Sequence, residues 1–381
     1  MSDNPLTPPG NRPMVTPIVN SVNYEYESFE VIRKIVDCEI EGYTYHRDDN
    51  PTVRKVEREI AALEEAEDCV LCTTGMAACS LVYFTYLGAG SHCVLFHDIY
   101  GANYKVSLIL ERMGVDITWL DASCPEKVAD AVRPETRLIL CETPSNPLLK
   151  VLDIGFLREQ ADRSGALLAV DNTFATPCHQ KPLKLGAHLV IHSATKAMGG
   201  HNDLMAGAIA TCKDYYNELW FTRQAIGTTL DPFSAFLLQR GLKTLPLRAE
   251  KMSANALSLA EFLSGHKKVD NVSYPGLPDD PGHALAREQM EGGSGGVLAF
   301  DVGETLEDAQ NFVNGLEHIY HAVSLGATES LVCVPYLSTM LYLPPERRLS
   351  FGVRKNTVRL SAGIEDADLL KKDLEQALAR I

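Results

Sequence analysis

Apolar positions along the chain fall into two alternating rhythms. Val53, Val56, Ile60 and Leu63 recur at helical spacing behind Asn50-Pro51, with Glu and Arg between them. That pattern predicts a helix capped by Asn50, with proline in its first turn. A short apolar run over 69–74 ends in Gly75, and a second helix is expected over 76–87. Further apolar runs at 93–97, 115–120, 137–141, 166–170, 189–192 and 206–211 read as strands. Helical patterns such as 126–132 and 156–161 lie between most of them. This rhythm predicts an α/β fold whose central sheet is mostly parallel and covered by helices. Later come a connecting helix at about 248–263, a turn-rich stretch over 275–282, a strand near 296–302, a helix near 306–317 and a strand near 357–361. Leu370, Leu374, Leu378 and Ile381 then share one face of a closing amphipathic helix. The expected division is an arm over 1–50, a main domain over 51–245 and a smaller α+β domain over 246–381.

Composition narrows the function. The 381 residues carry 50 acidic and 35 basic side chains, a formal net charge of −15. With no dense Lys/Arg block, a nucleic-acid partner is not expected. No apolar run approaches the roughly 18 residues of a membrane span, so no membrane partner is expected either. Residues 1–17 lack the charged and apolar regions of a secretory leader and read as a Pro-rich extended arm. The cysteines at 38, 69, 72, 79, 93, 124, 141, 178, 212 and 333 are scattered through apolar runs. Reduced thiols of a cytoplasmic protein look like this. Cys69 and Cys72 form a C-x-x-C without a second pair, so they are expected to be half-buried thiols on a strand rather than metal ligands.

Ligands of doubly wound sheets sit at the carboxyl ends of strands. Four such ends carry polar residues that a core does not need. Thr73-Thr74-Gly75-Met76 joins a strand to a helix N-terminus, where free amides suit a phosphate, although any strand–Gly–helix turn looks similar. Asp171 ends an apolar strand and is either paired or a cap. Glu142-Thr-Pro-Ser-Asn146-Pro is either a site or a plain turn. Ser193-Ala-Thr195-Lys196 places two hydroxyls and a lysine behind a buried strand, and a buried lysine can serve as a Schiff-base nucleophile. Neither G-x-x-x-x-G-K-[ST] nor G-x-G-x-x-G is present, which disfavours a nucleotide triphosphatase or a dehydrogenase. Phosphate anchor, carboxylate and lysine together are what pyridoxal 5'-phosphate requires.

From about Pro17 onward the chain resembles the Cys/Met-metabolism family of pyridoxal-phosphate enzymes. The motifs stand in family order: Tyr45-His-Arg47-Asp-Asp-Asn-Pro-Thr52, Thr74-Gly-Met-Ala77, Tyr100-Gly101, Glu142-Thr-Pro-Ser-Asn-Pro147, Val170-Asp-Asn-Thr173, Ser193-Ala-Thr-Lys196, Ser324-Leu-Gly326 with Glu329-Ser-Leu331, and Val358-Arg-Leu-Ser361. The resemblance implies a fold-type I pyridoxal-phosphate enzyme that acts on a small amino-acid substrate. It implies that Lys196 holds the cofactor and moves protons, and that Asp171 pairs with the ring nitrogen. Gly75, Met76, Ser193 and Thr195 would bind the phosphate, and Asn146 would lie near the ring hydroxyl and substrate. Tyr100 would stack on the ring and serve the leaving group, Arg359 would clamp the substrate carboxylate, and Ser324 would lie near substrate and lysine. Tyr45 and Arg47 would reach the phosphate of a neighbouring subunit, within a homotetramer.

The implied reaction is γ-elimination or γ-replacement on a sulfur amino acid or an O-activated homoserine. β-Elimination is the alternative on the same scaffold, and a non-catalytic binding protein is the alternative of another class. The departures from the family concern the substrate: Ala102, Val323, Ala197, His188, Ser338-Thr339-Met340 in place of M-T-H, and the acids Asp48 and Asp49 beside Arg47.

Overall fold

Asn50 starts the first long helix as the pattern requires. Its side chain accepts from the amides of Thr52 and Val53, and Pro51 opens the helix Pro51–Glu64. Val53, Val56 and Ile60 are fully buried, and Leu63 packs at the margin of the same cluster. The computed structural model of the chain describes residues 13–37, 39–341, 343–349 and 352–381. Most of the expected extended arm before Pro17, and Cys38, lie outside the described residues.

Seven strands form the first sheet: β1 Asp68–Cys72, β2 His92–Phe96, β3 Asp116–Leu120, β4 Thr136–Glu142, β5 Leu167–Asp171, β6 Leu189–His192 and β7 Gly207–Thr211. Their spatial order is β1-β7-β6-β5-β4-β2-β3, with β7 antiparallel to both neighbours and the other pairs parallel. The expected parallel α/β sheet is therefore present, with one reversed strand. Alternate residues of β1 face opposite layers. Cys69 and Leu71 join the cluster of Val56 and Ile60, whereas Val70 and Cys72 join that of Leu81 and Val82. The helices Pro51–Glu64 and Gly75–Tyr86 thus cover opposite faces. Both thiols of the C-x-x-C are fully buried rather than half-buried, because β1 is covered on both sides.

The helix Leu245–Ser264 leads to a second sheet of β8 Val269–Ser273, β9 Val297–Val302, β10 Tyr320–His321, β11 Leu331–Cys333 and β12 Thr357–Ser361, in the order β10-β11-β12-β9-β8. The closing helix Ala367–Leu378 buries Leu370, Leu374 and Leu378, and Ile381 packs on the same cluster from beyond its end. The helices Phe29–Val36, Lys213–Ile226 and Pro232–Leu242 lie outside the elements expected from the sequence. In Lys213–Ile226 and Pro232–Leu242, Phe221 and Phe233 are 71% and 58% exposed, which blurs the stripe of the buried face, whereas Phe29–Val36 is a short amphipathic helix that buries none of its residues.

Candidate active site

The carboxyl ends of β4, β5 and β6 and the start of the helix Gly75–Tyr86 surround one cavity of about 360 Å³. Val323, Ser324, Leu325, Thr339 and Arg359 close it from the second half of the chain. Ten of the twelve residues implied by the sequence line it: Gly75, Met76, Tyr100, Asn146, Asp171, Ser193, Thr195, Lys196, Ser324 and Arg359.

At the helix N-terminus the Thr74 hydroxyl accepts from the Ala77 amide and the Thr74 carbonyl from the Ala78 amide. The amides of Gly75 and Met76 are the ones left to an outside acceptor. A Cβ at residue 75 would lie 2.7 Å from Ser193 Cβ, so glycine is what keeps this cradle open. Thr195 lines the same cavity, but its hydroxyl already donates to the Ala206 carbonyl and accepts from the Ala206 amide.

Asp171 is held by Thr173, whose hydroxyl and amide donate to Oδ1 at 2.5 and 3.0 Å. The same hydroxyl accepts from the Ser193 amide at 2.8 Å, tying β5 to β6. Burial pushes the Asp171 carboxyl up, against the two Thr173 hydrogen bonds and the charge of His192. Glu142, one strand away, is pushed well above the usual carboxylate range by burial and then by Asp171. Its Oε2 accepts from the Tyr100 amide at 2.9 Å, while Asn103 Nδ2 donates to the Tyr100 carbonyl at 3.1 Å. These two contacts fix the backbone of the aromatic wall.

Lys196 has its pKa lowered to about 8, by burial and then by the Arg359 charge. Its Nζ donates to Ser324 Oγ at 2.7 Å. Ser324 sits at φ 101°, a conformation that a residue with a Cβ rarely adopts and that packing must hold in place. Arg359 is buried on β12 and donates to Asn146 Oδ1 at 3.1 Å and to the Ser324 carbonyl at 3.0 Å. Among the described residues no carboxylate forms an ion pair with it, which leaves this cation available to an anionic ligand.

Tyr45 and Arg47 are not brought to this cavity. Arg47 stacks over the Tyr45 ring at 5.4 Å and lies 3.7 Å from Asp48. The peptides beside it are pinned, since Thr229 Oγ1 donates to the Arg47 carbonyl and Arg223 Nη2 to the Asp48 carbonyl. Among the departures, Val323 is 59% exposed at the cavity wall, and Met340 packs with Leu343 and Val353. Ala197 is buried and gives its carbonyl to Arg248. Asp49 has its carboxyl pushed up to about 7 by burial and the nearby Glu57.

Glu142 and Thr173 stand inside the recognised motifs, but sequence reasoning gave them no role. The signal for Glu142 was the same as for Asp171, an acid ending a buried strand. Among the described residues no group of three or more His, Cys, Asp and Glu could hold a metal ion.

The donor set fits pyridoxal phosphate: two open amides and a hydroxyl for a phosphate, a lysine of lowered pKa for an aldehyde, and a half-buried carboxylate for a ring nitrogen. Comparison with known proteins agrees. The family described as "Cys/Met metabolism PLP-dependent enzyme" matches residues 5–379. The chain is 43% identical over 342 residues to a cystathionine gamma-lyase of Bacillus subtilis, covering 89% of each chain. It is 41% identical over 341 residues to a cystathionine beta-lyase of Lactococcus lactis, again covering 89% of each. The crystal structure of cystathionine gamma synthase from Xanthomonas oryzae superposes with a TM-score of 0.91 at 38% identity, covering 96% of this chain and 93% of that one. Motif order, fold and cavity chemistry thus converge, and the chain belongs to the Cys/Met-metabolism family of pyridoxal-phosphate-dependent enzymes.

Proposed function

We propose that the protein catalyses elimination or replacement at Cγ of an L-amino acid of the sulfur or O-activated homoserine type. The observation that carries this is a lysine amine of lowered pKa in one cavity with Asp171 and Arg359. When bound, pyridoxal phosphate supplies an electron-withdrawing ring that acidifies the Cα–H of an attached amino acid. Lys196 would hold the aldehyde and could take and return protons at Cα and Cβ. Asp171 keeps the ring nitrogen protonated. The Gly75 and Met76 amides and the Ser193 hydroxyl hold the phosphate, with Thr195 at its edge. Tyr100, at the cavity wall, would face the ring and could give a proton to the departing Cγ substituent. Arg359 clamps the α-carboxylate with Asn146 beside it, where a guanidinium fork suits a planar anion.

Tyr45 and Arg47 serve the phosphate of a neighbouring subunit in a homotetramer. The exposure of Phe29, Phe221, Phe233 and Leu247 supports an assembly that covers them. The cytoplasm is the proposed compartment, supported by the nine described cysteines all being free. The proposed division is an arm over 1–50, a cofactor domain over 51–245 and a C-terminal domain over 246–381.

A panel of β- and γ-substituted L-amino acids, assayed for release of 2-oxo acid, tests the reading. The likeness to a cystathionine beta-lyase keeps β-elimination as the second reading. Deuterium entering Cβ from solvent before product release supports γ chemistry, and turnover of β-substituted substrates alone supports the other.

A further inference from the structure

A second buried cluster lies behind the cavity, and the roles above do not use it. Glu64 ends the helix that covers the sheet face opposite the phosphate-cradle helix, and its side chain is fully buried. Its Oε1 accepts from Asn172 Nδ2 at 3.0 Å and from His192 Nε2 at 2.5 Å. Asn172 follows Asp171 at the end of β5, and His192 precedes Ser193 at the end of β6. Gln180 Nε2 donates to Asn172 Oδ1 at 3.0 Å and completes the cluster. One carboxylate oxygen therefore joins, from behind, the same two strand ends that Thr173 joins from the cavity side.

The choice of a carboxylate here is informative. Glu64 Oε2 is buried without a hydrogen-bond partner. A glutamine would accept both hydrogen bonds without the desolvation cost of a charge. What the carboxylate adds is its charge, and the group within hydrogen-bond reach that can answer it is His192. Asp171 needs such an answer. Burial opposes its ionisation, and Glu142 on β4 is a second acid beside it. Cys79 on the cradle helix and Cys141 on β4 also face Asp171, and burial pushes both thiols up. A proton shared onto His192 by its contact with Glu64 would act on Asp171 in the other direction.

We propose that Glu64 and His192 are positioning residues for the cofactor: they lock the ends of β5 and β6 from behind and hold a positive charge beside Asp171 that keeps its carboxylate ionised. This rests on the reading that Asp171 serves the ring nitrogen.

The test is a double-mutant cycle on cofactor affinity, measured by titrating the apo-protein with pyridoxal phosphate and accompanied by thermal melts. Glu64→Gln keeps both accepted hydrogen bonds and removes the charge. His192→Gln keeps a donor toward Glu64 and removes the ring, and it serves if the first variant does not fold. Each is expected to weaken affinity about tenfold in the wild-type background and to have little further effect in an Asp171→Asn background. Equal weakening in both backgrounds, or no weakening in either, overturns the proposal. If Asp171→Asn alone leaves affinity unchanged, the Asp171 reading itself fails and takes the proposal with it.

Discussion

Lys196 Nζ and Ser324 Oγ meet at 2.7 Å although the two residues are 128 positions apart. The contact joins the loop after β6 to the segment that closes the cavity from the second half of the chain. Burial of the amine, and after it the Arg359 charge, sets its reactivity. With its pKa lowered to about 8, Lys196 is charged below that value and neutral above it. A depressed lysine pKa means that the charged form is the one the fold disfavours. Only the neutral amine attacks an aldehyde. Reconstitution of the apo-protein with pyridoxal phosphate is therefore expected to accelerate with rising pH and level off above about 8. Stopped-flow absorbance measures this, and a midpoint at the ordinary lysine value contradicts it.

Glu142 is a buried acid and Asp171 a half-buried one, and the two cannot share one role. Glu142 is driven upward by burial and by Asp171, and its neighbours treat it as an acceptor for the Tyr100 amide. It is the carboxyl expected to hold the proton. Glu142→Gln should keep cofactor affinity within about threefold, whereas Asp171→Asn should lose about tenfold or more. Parallel titrations decide it, and equal losses contradict the division of labour.

Arg359 donates in two directions, to Asn146 and to the Ser324 carbonyl. Lysine keeps the charge but not the fork. Arg359→Lys is expected to raise KM for the amino acid about tenfold or more while leaving cofactor affinity unchanged. Steady-state kinetics beside a cofactor titration read both quantities. An unchanged KM counts against the carboxylate clamp.

Arg47 lies away from the cavity of its own chain, with its carbonyl and that of Asp48 pinned by Thr229 and Arg223. If the proposed assembly forms, Arg47→Ala is expected to leave its size unchanged and weaken cofactor retention about tenfold. Dialysis followed by absorbance, alongside light scattering, measures this. Full retention in an intact oligomer contradicts the shared site.

Most of this arrangement was legible in the chain because its signals are local. A strand ending in Asp171, a strand followed by Ser193 and Lys196, and a glycine opening a helix each announce themselves within a few residues. Buried, doubly covered strands made the parallel sheet equally plain. That Ser324 lies near Lys196 was implied by the family resemblance alone, because this pairing, like that of Arg359 with Asn146, depends on how distant segments pack, which no local pattern carries. Thr173 and Glu142 were quoted in motifs without a role because their function is to hold another residue. The helices Lys213–Ile226 and Pro232–Leu242 escaped because their exposed Phe221 and Phe233 blur the buried stripe.

The account depends above all on Lys196 carrying the cofactor. Borohydride reduction of the purified protein with pyridoxal phosphate, followed by peptide mapping, addresses that point directly. The expected result is a single pyridoxyl label on Lys196, together with a visible absorption band that is lost in Lys196→Ala. A label on another lysine, or a colourless wild type that takes no label, contradicts the account.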